Sequence, residues 1–179
     1  MHPHTKELLD YLHENRRILR AAVDGVTPSL RDEAPPKGGW SVANVLEHLA
    51  IVEKRVAMRI AASIGEARNA GLGPDTGTAP ILPTVNVKAL FDRERKITAS
   101  EAVQPTGALN AAQAWEALEE STNIVHGTLL DADGLDIGML AMPHPVLGSA
   151  SLHAWFAFIG AHEGRHAHQI SEVGRLLLN

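Results

Sequence analysis

Apolar residues recur at intervals of three and four over four long stretches of the chain, the spacing of amphipathic helices rather than strands. From about Thr5 to Val26 the series is Leu8, Leu9, Leu12, Ile18, Leu19 and Val23, ended by Gly25 and the Thr27-Pro28 pair. Pro35-Pro36 and Gly38-Gly39 then place a loop ahead of Trp40. Ser41 is suited to cap a second helix running to about Ala67, with Val45, Leu49, Val52, Val56 and Ile60 on its inner face and Trp40 packed onto Val45. The segment GLGPDTGTAPILP, between Gly71 and Pro83, is too rich in glycine and proline for a regular element and predicts a long crossover. Asn86 to Glu101 reads as a short polar helix. A third main helix is expected from about Asn110 to Leu130, with Ala114 or Trp115, Leu118, Val125 and Leu129 inward, stopping near Asp133-Gly134. After the turn-rich MPHPVLG segment, a fourth begins at Ser151 and runs nearly to the C-terminus. Four such helices with one long connection predict an all-α four-helix bundle, a single domain over residues 1–179.

Composition narrows the functional classes. The 26 alanines and the 4% aromatic content favour helix over sheet in a chain of 179 residues. A net charge of −5 with no basic block argues against nucleic acid or an anionic membrane as partner. The N-terminal stretch lacks an apolar signal core, and no apolar run approaches a membrane span, so a cytoplasmic protein is expected. With no cysteine, thiolate metal sites and a cysteine nucleophile are excluded, and any transition-metal site must draw on His, Asp or Glu. Ten histidines therefore become the feature to explain.

On an ideal helix His162 and His166 lie about 40° apart and about 6 Å along the axis, close enough to share one cation. They interrupt the apolar face made by Trp155, Ile159 and Val173, on which Gln169 also falls. His168 points nearly the opposite way, toward solvent. His48 shares its face with Val45, Ile51 and Val52, so three imidazoles project from two helices into one interior. Each alone is more commonly a core histidine bonded to a backbone carbonyl. Together they leave several polar nitrogens to satisfy, which a divalent metal does at once. His2, His4, His13, His126, His144 and His153 lack such partners in sequence and read as surface or loop residues. Glu47 and Glu163 are each rotated about 100° from the neighbouring histidine and are expected to face water.

Residues 162–166 also spell H-E-x-x-H, the zinc protease helix in which Glu163 would be the general base. That reading fails on the third ligand: no histidine beyond His168 follows, and Glu172 is turned away on the same helix.

Two segments resemble the DinB-like (YfiT-like) superfamily of metal-binding four-helix bundles. Gly39-Trp40-Ser41 through His48-Leu49 looks like that family's W-S-x-x-x-V-x-x-H-L opening to helix two. His144-Pro145 through Gly148, then Ser151, Trp155, His162, Arg165, His166, Gln169 and Ile170, looks like the H-P-x-x-G…W…H-x-x-R-H-x-x-Q-I helix of its DinB_2 branch. The resemblance implies up-down-down-up helix order with the long crossover between helices two and three, and a metal role for His48, His162 and His166. Members often carry an acidic residue three after the N-cap. Here Asn44 and Ala154 stand there, so reciprocal capping boxes are not expected.

Three neutral imidazoles leave a coordination position open, as in catalytic sites, and zinc or nickel suits them. Such a metal could activate water for hydrolysis, or a low-molecular-weight thiol for transfer or isomerisation, as the resemblance implies. Gln169 is placed to orient a ligand or substrate, and Arg165 either clamps an anionic small-molecule substrate or pairs with a carboxylate of helix two. The alternative is a non-enzymatic, stress-related binding bundle whose metal is structural or vestigial. A homodimer is the family-level expectation.

Overall fold

The computed structural model describes residues 1–85, 99–144 and 148–178. Its frame is four helices: α1 (Pro3–Asp24), α2 (Val42–Asn69), α3 (Ala111–Asp131) and α4 (Leu152–Leu177). The helix boundaries follow the periodic stretches closely. Most of the polar helix expected from Asn86 lies outside the described residues, and Glu101–Val103 forms a single 3-10 turn. Among the described residues, no helix is long and apolar enough to cross a membrane.

The helix starts explain their own positions. Ser41 Oγ accepts from the Asn44 N–H at 3.1 Å while Asn44 Oδ1 accepts from the Ser41 N–H at 3.2 Å. This reciprocal box corrects the expectation that none would form, because a carboxamide oxygen accepts as well as a carboxylate. Asn110 and Gln113 make the same exchange on α3. On α4, Ser151 caps Ala154 in one direction only. Helix α1 opens on Pro3, with the His2 side chain accepting from the His4 N–H.

Contacts along the bundle fix its order. Glu47, near the start of α2, binds residues just ahead of α3, and Arg68, near its end, binds the Asp131 carbonyl, so α2 and α3 run parallel. His4 of α1 meets His153 of α4 with ring centroids 5.3 Å apart, and Val26 beyond α1 meets Gly174 near the end of α4, so this pair is parallel too. Asp75, just past α2, reaches His4 at the start of α1, which makes α1 antiparallel to α2. The order is therefore up-down-down-up. Helix α1 packs closely on α4: a Cβ at Gly160 would lie 2.8 Å from the Tyr11 ring, so only glycine permits the approach.

The segment before α4 departs from the expected turn. Strands β1 (Ala141–His144) and β2 (Gly148–Ser151) pair antiparallel, with Met142 opposite Ala150 and His144 opposite Gly148. Four residues per strand, one of them Pro143, are too few to show a period of two. Proline is tolerated because both strands of a two-stranded ribbon are edges.

The apolar core falls into two clusters. One gathers Leu8, Leu12, Val56, Ile60, Val125, Leu129, Trp155, Phe156 and Ile159; the other gathers Leu19, Val23, Val45, Leu46, Leu49, Leu118, Ile170 and Val173. Ile18, expected inward, is 37% exposed at the edge of the inner face of α1. Between the clusters lies a polar layer to which every helix contributes. Arg16 of α1 reaches Glu53 of α2, Thr122 of α3 and Glu163 of α4. Ser121 and Thr122 each donate to Glu53 at 3.2 Å. Burial, and then the charge of Glu163, hold the Glu53 carboxyl well above the usual carboxylate range, while Glu163 makes the closer ion pair with Arg16.

Removing the guanidinium leaves a buried carboxylate without its cation. Arg16→Met is expected to destabilise the protein by about 3–5 kcal/mol. Urea denaturation against the wild-type chain checks this.

Candidate metal centre

His48 enters from α2, and His162 and His166 from successive turns of α4. Their ring centroids lie 5.2 Å (His48 to His162), 5.0 Å (His48 to His166) and 4.5 Å (His162 to His166) apart. A nitrogen from each ring lies within 4.8 Å of the others. The three residues that the facing arithmetic selected are thus brought together.

Hydrogen bonds set which nitrogens turn inward. His48 Nδ1 lies 2.6 Å from the Val103 carbonyl, which can only accept, so Nδ1 carries the proton and Nε2 keeps its lone pair. His166 Nδ1 lies 2.8 Å from Gln169 Oε1, which assigns the same tautomer. His166 Nε2 then faces His162 Nε2 at 3.1 Å. That separation is near the roughly 3.3 Å between two ligand nitrogens on a tetrahedral zinc with bonds of about 2.0–2.1 Å. His162 Nδ1 is buried with no hydrogen-bond partner among the described residues. Burial holds His48 below the ordinary histidine range despite the Val103 carbonyl. Burial, then the positive potential of His166, His48 and Arg165, hold His162 well below it. Both are neutral near pH 7, the form that binds metals.

Aromatic rings wall the cluster. Trp40 lies 4.8 Å from His48 and stacks near His166, while Phe158 stacks on His162 at 5.1 Å. Trp40 also packs beside the cluster that holds Val45, in keeping with its expected place ahead of α2. His168 is exposed, as its facing predicts.

Several residues depart from their sequence reading. Glu47 is buried: its oxygens accept from the Thr106 N–H at 3.0 Å and the Gly107 N–H at 3.1 Å. It thereby anchors the segment whose Val103 carbonyl orients His48. Glu163 is buried in the Arg16 layer. Both were expected in water, but a helix flanked by two neighbours and a covering loop buries far more than one stripe. His4, His144 and His153 are buried as well, against the surface or loop placement expected of them. His144 is carried inward by β1 and lies against Trp155 at 4.4 Å and Phe158 at 4.6 Å, one ring removed from His162. Its place in the H-P-x-x-G motif was the only sequence signal that it belonged near the centre. Arg165 is half-buried on α4, near enough for its charge to act on His162.

The chain is thus a helical bundle that gathers three imidazoles between its second and fourth helices. The DinB superfamily model matches residues 11–170, and the chain belongs to that superfamily. No curated protein and no solved structure is significantly similar to it.

Burial lowers the His144 pKa from 6.5 to about 4, so the unfolded chain binds a proton there before the folded one does. This contribution to stability is complete above pH 6.5 and is lost progressively as the pH falls to about 4. Glu53 and His4, both raised, titrate with the opposite sign, so the expectation concerns a difference. Relative to His144→Gln, wild-type protein should lose stability over that window in urea denaturation followed against pH.

Proposed function

We propose that His48, His162 and His166 hold a divalent metal ion, zinc or nickel, and that the centre serves a small-molecule enzyme, either a thiol-dependent transferase or isomerase, or a hydrolase. The observation that carries this reading is the convergence of one ring nitrogen from each histidine within 4.8 Å, with the Nε2 lone pairs of His48 and His166 turned inward. Without a cation, His162 Nε2–H can donate to the His166 lone pair across the 3.1 Å between them, and a metal would take the place of that proton. The donor set of neutral imidazoles matches zinc and nickel preferences.

When bound, the metal supplies a Lewis acid with room for a further ligand, lowering the pKa of a water or a small thiol. The chain does the remaining work. Val103 and Gln169 fix the tautomers of His48 and His166. Glu47 holds the loop that carries Val103. Trp40 and Phe158 shield the imidazoles from water on two sides. Arg165 is assigned to an anionic group of the substrate. A thiol mechanism would take its sulfur from a co-substrate, because the chain has no cysteine.

A second reading, a structural or vestigial metal in a non-enzymatic bundle, is favoured by one observation. Glu47 and Glu163, the acids flanking the histidines, are both committed to other hydrogen bonds, so neither serves as general base.

Untagged wild-type chain should take up one zinc or nickel at this centre on dialysis, and His48→Ala, His162→Ala and His166→Ala should each abolish that uptake. Uptake unchanged by all three substitutions would falsify the assignment. Gln169→Ala should weaken metal affinity by about 10–100-fold without changing the fold, as measured by competition with a chelator. A fully folded metal-free form supports the open, functional site, whereas metal-dependent folding supports the structural reading. Turnover of an electrophile only with a small thiol present separates transfer from hydrolysis.

A further inference from the structure

A second convergence of ligand atoms lies at the opposite end of the bundle, where α1 begins and the crossover leaves α2. We propose that His2, His4 and Asp75 form a separate site for a divalent transition-metal ion of zinc-like character. The proposal does not depend on the three-imidazole centre.

Each of the three side chains brings one potential ligand atom into the same small region. His4 Nε2 lies 2.8 Å from the Ala79 carbonyl and must donate to it, which turns His4 Nδ1 toward Asp75 Oδ2 at 2.7 Å. Asp75 Oδ1 accepts from the Gly77 N–H at 2.8 Å, leaving Oδ2 for the imidazoles. His2 Nδ1, which accepts from the His4 N–H, lies 3.6 Å from the same Oδ2. Two imidazole nitrogens and a carboxylate oxygen therefore gather within 4.8 Å of one another. Imidazole bonded through its far nitrogen to a backbone carbonyl is the usual arrangement of a metal-ligating histidine. Gly77 is part of the cradle: a Cβ there would fall 2.8 Å from His4 Cε1 and 3.2 Å from Asp75 Oδ1.

Electrostatics favours a cation at this end. Besides Asp75, the carboxylates of Glu7 and Asp136 act on the neighbouring His153, and Asp133 binds the His2 N–H at 2.7 Å. A proton on His4 is the competitor, since the pull of Asp75 and the Ala79 carbonyl outweighs burial and raises its pKa. Metal binding here therefore releases a proton and weakens as the pH falls. Bound metal would pin the start of α1 to the crossover segment of Gly73–Ala79.

The test uses the full, untagged chain carrying His162→Ala, which breaks the other cluster, titrated with zinc by calorimetry and checked by native mass spectrometry. One further equivalent of zinc should bind. Asp75→Asn, whose amide can still accept from Gly77 and donate to neutral His4, should keep the fold by circular dichroism yet weaken that binding at least about tenfold. His2→Ala should weaken it as well while leaving the α1 core untouched. Zinc should also slow proteolysis of the crossover in the His162→Ala chain, and not when Asp75→Asn is added. No binding in the His162→Ala chain, or binding that survives both Asp75→Asn and His2→Ala, would overturn the proposal. Because the three-imidazole centre is assayed through its own substitutions, either assignment can fail alone.

Discussion

Arg16 binds Glu53, Thr122 and Glu163 at one level of the bundle, so a single guanidinium from α1 touches each of the other three helices. Apolar packing above and below this layer is non-directional and would tolerate small rotations of each helix. Ion pairs buried between the two clusters do not tolerate them, because a displaced carboxylate would lose the Arg16 guanidinium. Once Glu163 is committed to Arg16, the rotation of α4 is settled. His162, one residue back, and His166, one turn on, are then directed toward α2 and His48.

The loops complete what the layer begins. At one end Glu47 fixes Thr106 and Gly107, and the adjoining Val103 carbonyl fixes His48. At the other, Glu7 accepts from the Ile81 and Leu82 N–H groups, at 2.8 and 2.9 Å, and His4 clasps Asp75. The long crossover is thus tied down at both ends by acidic and imidazole side chains of α1 and α2. Its length follows from the parallel course of α2 and α3, whose connection must traverse the bundle from end to end.

The two histidine-bearing ends differ in chemical character. The centre between α2 and α4 is walled by Trp40 and Phe158 and holds imidazoles alone, which keeps His48 and His162 neutral by burial. The cluster at the start of α1 is rich in carboxylate, which raises His4 instead. One fold therefore offers a dry, neutral donor set and a wetter, anionic one.

How much of this was legible follows from what periodicity encodes. Spacing at threes and fours fixed the four helices and the inward course of His48, His162 and His166, because these depend only on a residue's angle about its own axis. Capping chemistry placed Ser41, Asn110 and Ser151 at helix starts for the same local reason. The reciprocal Ser41–Asn44 bond is equally local, since the asparagine carboxamide oxygen accepts where an acidic residue is usual. What lies across from a residue is not local. Glu47 and Glu163 look solvent-facing on a helical wheel, yet a loop and three helices cover them. His4 and His144 look like terminal and turn residues, yet the crossover and a two-stranded ribbon bury them. Local spacing was therefore enough to specify the elements and the facing of three imidazoles. Which acids are buried, which tautomers are held and where His2, His4 and Asp75 meet emerge only on folding, because they depend on chain segments distant in sequence.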